Sequence, residues 1–376
     1  MISGPPPSVA ANTLLARAVA SFGLVGSMHD APTTPLNNRD FTGLHSAVRS
    51  QRITGLLWSA IAGGWFPVTH AQLARAQESH LQSLAATLIL EHLLVDTVSA
   101  FDEAGIAVRA LKGPAVRHLD YPDPGMRTFG DIELLVPSEA FDDAVAEMAA
   151  AGHVRRYPQP RPGFDRRYSQ GTSFRTKDGL DIDLHRTFAT GPLGARIALH
   201  RLWERRETFT LGGVAIHTLP AEERLLHAAY YAALGDRPAR LVPLRDIAQI
   251  MLTHDIEVRR FRTLMRESGG EAVVARAISW AWQELHLADI LALSAWARDH
   301  KDDRRSAADL AVYGPASSYA AQSWATVRAI PGFADKARFV FALAIPQRSY
   351  LSGRHESQRV RLQQGISQIR RTRSER

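Results

Sequence analysis

The stretch "MRTFGDIELLVP", residues 126–137, decides how this chain is read. Ile132, Leu134, Leu135 and Val136 suit a strand heading into a core. Asp131 and Glu133 interrupt them with two carboxylates, two residues apart. Successive side chains of a strand point to opposite faces, so these two share one. Like charges on one face repel, and burying either is costly unless something compensates it. A bound cation is one compensation, and a solvated sheet edge is the other.

The flanking sequence bears on that choice. In "LDIDLH" (180–185), Leu180, Ile182 and Leu184 take one face, while Asp181, Asp183 and His185 take the other. Two strands with carboxylates at alternate positions fit two-metal phosphoryl or nucleotidyl transfer. Magnesium takes oxygen ligands and keeps several from phosphate and water, and two such ions clamp the attacking and leaving oxygens. Upstream, "ALKGPAV" (110–116) sets Lys112 and Gly113 between a strand and a helix, with Pro114 suited to the first helical turn. Free backbone N–H groups and a lysine make such a turn a phosphate site; the plain alternative is a helix cap with a surface lysine.

Further out, the pattern is mostly helical. Residues 1–40 are rich in Pro, Gly, Ser, Thr and Asn and read as a loose leader around one short helix. An N-terminal helical region follows at 41–105, including a long helix from about 69 to 104 that Gly105 stops. The core spans 106–219, with strands near 106–111 and 130–136 and a helix after Pro137. It ends in two hairpins, turning at Asp178-Gly179 and at Gly212-Gly213. A C-terminal helical region covers 220–353, and a basic tail covers 354–376. The expected fold is α+β: a small mixed sheet with flanking helices, embedded in a mainly helical protein.

Composition narrows the chemistry. With no cysteine among 376 residues, disulfides, thiolate metal sites and cysteine nucleophiles are excluded. The most apolar stretch, "LAATLILEHLLVDTVSAF", carries Glu91, His92 and Asp96, which argues against a membrane span. No basic residue precedes the apolar run of the first 26 residues, against a secretory signal. A cytoplasmic protein is expected. The formal charge is +7, but seven arginines against Glu356 and Glu375 give the tail +5 and leave +2 elsewhere. Nucleic-acid binding cannot be argued from that total. H-E-x-x-H, G-x-S-x-G and G-x-x-x-x-G-K-[ST] patterns are absent.

The order of Lys112-Gly113, Tyr121-Pro122, Arg127, Asp131-x-Glu133 and Asp183-x-His185 resembles a poorly characterised bacterial nucleotidyltransferase family of the DNA polymerase β superfamily. The likeness runs over roughly residues 50–365 and is strongest at 106–188. It implies a sheet-borne nucleotidyltransferase that moves an NMP from an NTP, with ATP the expected nucleotide, and releases pyrophosphate. Two magnesium ions would be held by Asp131, Glu133 and Asp183, with Asp183 able to accept the acceptor's proton. Lys112, Gly113 and Arg127 would hold the triphosphate. The acceptor is open, with a small molecule or peptide favoured and RNA the alternative. Two positions depart from the pattern: Pro114 stands where a small residue, often serine, is usual, and Glu133 replaces aspartate.

The individual residues keep rival readings. Arg127 fits a triphosphate clamp or an ion pair with a nearby acid. Asp181 is a candidate to support Asp183 from outside the ligand set. His185 fits a partner for Asp183, a substrate contact or a structural histidine. Asp246 in "PLRD" fits a residue that holds helices together. For the whole chain, the rivals to an active enzyme are a catalytically silent nucleotide- or partner-binding relative and an RNA-directed enzyme using the tail.

Overall fold

The computed structural model describes residues 12–235, 239–315, 317–348 and 350; the basic tail lies outside the described residues. Among the described residues, 17 α-helices accompany a seven-stranded mixed sheet. The strands are β1 (Arg109–Leu111), β2 (Ile132–Leu135), β3 (Val154–Arg155), β4 (Gly171–Arg175), β5 (Asp181–His185), β6 (Glu207–Leu211) and β7 (Val214–Thr218). Their order is β3-β4-β5-β2-β1-β7-β6. At the centre, β2 runs antiparallel to β1 and parallel to β5. The α+β expectation holds, with β1 and β2 shorter than the apolar runs suggested.

The helices α1 (Asn12–Ser21), α2 (Asn38–Ser50), α3 (Thr54–Ala62) and α4 (His70–Glu103) precede the sheet. A reciprocal Thr69–Gln72 capping box starts α4, and Gly105 at φ +70° follows its end. Within the core come α5 (Gly113–Leu119) and α6 (Phe141–Ala150). Ile132, Leu134, Ile182 and Leu184 pack on one side with Leu94 and Phe101 of α4 and Phe141 of α6. On the opposite side, Leu111 and Leu135 join a larger core made with the C-terminal helices. Glu133 alternates with Ile132 and Leu134, so it faces that second, helix-covered side.

Two expectations need correction. The leader is not loose where it is described: Ala16, Val19, Ala20 and Leu24 are buried in the larger core. Arg245 donates to the Ala20 and Phe22 carbonyls, at 2.8 and 2.6 Å. Small apolar residues make a packing face that composition conceals. Second, Asp178-Gly179 is not a two-residue turn. Thr176 and Leu180 pair, and Gly179 at φ +81° closes a three-residue loop. Gly212-Gly213, both at positive φ, is the expected two-residue turn. One helix among the described residues, α4, is long and apolar enough to cross a membrane by length and composition alone, which does not establish a span. Its Glu91, counted above against a span, is buried and meets His118 at 2.7 Å and Arg117 at 3.0 Å, fastening α4 to α5.

Candidate active site

The parallel register sets Glu133 opposite Asp183, and the antiparallel one sets Glu133 opposite Leu111, the residue before Lys112. Three distant pieces of sequence therefore meet beside one carboxylate. Glu133 is only 6% exposed, which rules out a solvated edge for it. The cation that compensates it comes first from the chain itself, because Lys112 donates to its Oε1. Burial alone would raise the Glu133 pKa, but the charges of Lys112, His185 and His227 and the Lys112 hydrogen bond together outweigh it and hold the group at about 2.

Lys112 adopts φ +46°, ψ −118°, a sparsely populated conformation for a residue with a Cβ. Its ammonium lies 3.3 Å from the centroid of the Tyr231 ring as well as on Glu133. Tyr231 belongs to α10 (Ala221–Leu234), which follows the single-turn helices α7 (Asp165–Tyr168), α8 (Gly191–Gly194) and α9 (Arg201–Glu204). Gly113 has a packing reason: a Cβ there would lie 2.6 Å from Phe129. Its Cα therefore faces a phenylalanine ring, so the structure does not display Gly113 as an open phosphate turn.

Not everything around Glu133 is paired. Its Oε2 is buried without a hydrogen-bond partner, as are both ring nitrogens of His185. His185 Nε2 lies 3.8 Å from Glu133 Oε2, beyond hydrogen-bond reach. Glu133, Asp183 and His185 offer ligating atoms within 4.8 Å of one another. Burial keeps the His185 pKa below its ordinary value despite the pull of Glu133. Two carboxylates and a histidine with unpartnered atoms are a donor set that a divalent cation fits. Asp131 stands outside that group and 3.9 Å from Arg52, a contact that sequence spacing did not disclose. Burial, then the Glu133 charge, raises its pKa.

These residues open on a cleft of about 550 Å³, lined by Lys112, Asp131, Glu133, Asp183 and His185. Six of the eight tyrosines border it: Tyr157, Tyr230, Tyr231, Tyr313, Tyr319 and Tyr350. Sequence reasoning missed this aromatic wall, since its members come from four separate segments. Helices α11 (Leu241–Thr253), α12 (Val258–Glu267), α13 (Glu271–Glu284), α14 (Ala292–Asp299), α15 (Arg304–Ala311), α16 (Tyr319–Ala329) and α17 (Phe333–Ala344) complete the helical part.

Three other residues fall elsewhere. Arg127 is 7% exposed and makes two 2.8 Å bonds to the carboxylate of Asp246 on α11. Its fork is committed there, so the ion-pair reading replaces the triphosphate clamp. Asp246 also accepts from the Tyr121 hydroxyl at 2.9 Å, and so ties α11 to the segment before β2. Asp181 does not line the cleft; it pairs at the surface with Arg156 and Arg175, at 3.3 and 3.5 Å.

An α+β core with carboxylates on paired strands beside a deep cleft belongs here to a transferase of the nucleotidyl-transferring class. The family model described as uncharacterised nucleotidyltransferase matches residues 37–286, more than half of the chain, and the chain belongs to that family. No curated protein matches it. Among solved structures it is similar to the antibiotic-resistance factor ANT(2'')-Ia, with 16% identity, 53% of this chain and 99% of that chain covered, and a TM-score of 0.34. It is also similar to an antigenic nucleotidyltransferase-like protein from Paracoccidioides brasiliensis, with 13% identity, coverages of 53% and 92%, and a TM-score of 0.31.

Proposed function

We propose that this protein moves an NMP from an NTP, ATP first among them, to the hydroxyl or phosphate of a small molecule or peptide. Placement in the bacterial branch of the DNA polymerase β superfamily belongs to the same reading, supported by the order of Lys112-Gly113, Asp131-x-Glu133 and Asp183-x-His185. The observation that carries the proposal is Glu133 facing Asp183 across β2 and β5, with unpartnered donor atoms on Glu133 and His185, two residues that line a 550 Å³ cleft. The acceptor oxygen forms a bond to the α-phosphorus as the bond to the bridging oxygen breaks, and pyrophosphate leaves with that electron pair. Asp183 accepts the proton of an acceptor hydroxyl.

Asp131 and Asp183, at the cleft surface, would hold magnesium that travels with the triphosphate, and Glu133 would hold a second, deeper ion. Such ions, when bound, neutralise phosphate charge and favour in-line displacement. The tyrosines supply faces against which a base or an acceptor ring can stack. Positioning and charge neutralisation then provide the rate, with no covalent intermediate.

The test is turnover of labelled NTPs in the presence of a lysate that supplies acceptors, with and without divalent cation. Asp131→Asn and Asp183→Asn should each lower pyrophosphate release by on the order of 10³-fold while thermal unfolding stays cooperative. Undiminished release in both variants would remove the mechanism. A second reading, nucleotide binding without turnover, draws on Gly113 packed against Phe129 and on Pro114, which lacks an N–H. Calorimetric binding of NTP with no cation-linked pyrophosphate release would favour it.

A further inference from the structure

Resting on the metal-assisted reading above, we infer that the deeper cation site consists of Glu133, Asp183 and His185, and that its nitrogen donor selects a transition-metal ion such as Mn²⁺ over Mg²⁺. The carboxylate pattern of the strands points to Asp131 as a ligand of that ion, but the geometry puts His185 in its place. Glu133, Asp183 and His185 bring donor atoms within 4.8 Å of one another, and Asp131 is not in the group.

Two independent observations turn this cluster into a site. His185 is only 8% exposed and lines the cleft, yet neither ring nitrogen has a partner among the described residues. The Oε2 of Glu133, buried and unpartnered, lies 3.8 Å from its Nε2, while Lys112 occupies the other oxygen. A buried imidazole without a partner is costly, and a cation between the ring and the two carboxylates satisfies all three groups. Ligand chemistry then sets the preference. Magnesium favours a shell of oxygens and gives up its waters reluctantly, whereas imidazole suits later first-row ions such as iron, nickel and zinc; manganese stands at the weak end of that series and is its paramagnetic probe.

The decisive measurement is pulsed EPR on the full chain loaded with Mn²⁺ alone, with a second sample grown on ¹⁵N-histidine. The expected spectrum shows imidazole ¹⁴N modulation that the labelling replaces. Titration calorimetry should give Mn²⁺ a Kd at least tenfold below that of Mg²⁺, and His185→Gln should bring the two together. Mn²⁺ bound without histidine coupling, no Mn²⁺ bound, or an Mn²⁺/Mg²⁺ ratio unchanged in a folded His185→Gln protein would each overturn the assignment. If that variant does not fold, the wild-type spectrum alone decides. The two readings fail separately. Mg²⁺-supported turnover without histidine coupling sinks the ligand assignment and leaves the transferase, whereas coupling without turnover under any cation supports the site and sinks the transferase.

Discussion

Two buried charged regions lie on the same side of this sheet and are finished differently. In the seam between the core and the C-terminal helices, carboxylates and guanidiniums are used up by one another. Arg127 grips both oxygens of Asp246, and Arg224 reaches both oxygens of Asp120, at 2.6 and 3.2 Å, with His254 2.7 Å from the same carboxylate. In the cleft, Glu133 has one oxygen paired and one bare, and His185 has neither nitrogen engaged. A buried polar group without a partner is expensive, and in the cleft three such atoms, Glu133 Oε2 and both His185 ring nitrogens, belong to neighbouring residues. Seam charges are spent on one another, whereas the proposed cation would complete the cleft.

The largest expected effect on stability comes from breaking the seam. Asp246→Ala strands the Arg127 guanidinium, whose pKa burial alone would lower and which Asp246 holds above its ordinary value. The loss of unfolding free energy should be about 3–5 kcal/mol, read from urea denaturation. A loss below about 1 kcal/mol would return Arg127 to the ligand-binding candidates.

Breaking the cleft should look different. Lys112→Met removes the ammonium on Glu133 and should cost about 3 kcal/mol in metal-free buffer. Here a divalent cation can substitute for the lost charge, and at 100 times its Kd it adds about 2.7 kcal/mol. Melting curves with and without MnCl₂ measure this. No cation-dependent gain would mean that the cleft is as closed to ions as the seam.

The boundary between the two regions can be sharpened by pH. His227 on α10, beside Lys112, is driven down to about 3 by burial and then by the Lys112 charge. The unfolded chain takes up this proton near pH 6.5 while the folded chain refuses it. Stability is therefore full above that value and falls with acidification, by about 1.4 kcal/mol per pH unit from this residue, until pH approaches 3. His29, His45 and His80 are also lowered by burial, so the quantity to measure is the difference between wild type and His227→Gln. Urea midpoints at pH 7, 6 and 5 should converge for the two proteins on acidification, or cross. Parallel slopes would show that His227 is protonated in the folded state.

How much of this was legible follows from what each contact depends on. Alternation in "DIELL" and "LDIDLH" is a local property, and it placed Glu133 and Asp183 each on the acidic face of its own strand, while the pairing of those strands is a tertiary fact. Gly212-Gly213 was legible for the same reason, since its turn depends on two residues. The loop at Asp178-Gly179 was misjudged because Thr176 and Leu180 pair only once the strands have met. The fate of Arg127 depended on Asp246, 119 positions away, and the aromatic wall on segments between Tyr157 and Tyr350. Local pattern gave the donors, and their partners came from tertiary packing that no spacing encodes.

The smallest effect tests that lesson most finely. Asp181 and Asp183 sit on one face of one strand, two residues apart, and alternation cannot tell them apart. The fold does, because the parallel register puts Asp183 opposite Glu133 while Asp181 lies beyond the end of the pairing with β2. There it pairs with the partly exposed Arg156 and Arg175. Surface pairs of this kind contribute about 0–1 kcal/mol. Asp181→Asn should therefore shift stability by less than about 0.5 kcal/mol and leave Mn²⁺ affinity and pyrophosphate release unchanged, whereas Asp183→Asn loses both. A tenfold loss of release in Asp181→Asn would place that carboxylate in the site and erase the distinction between a strand's acidic face and its functional end.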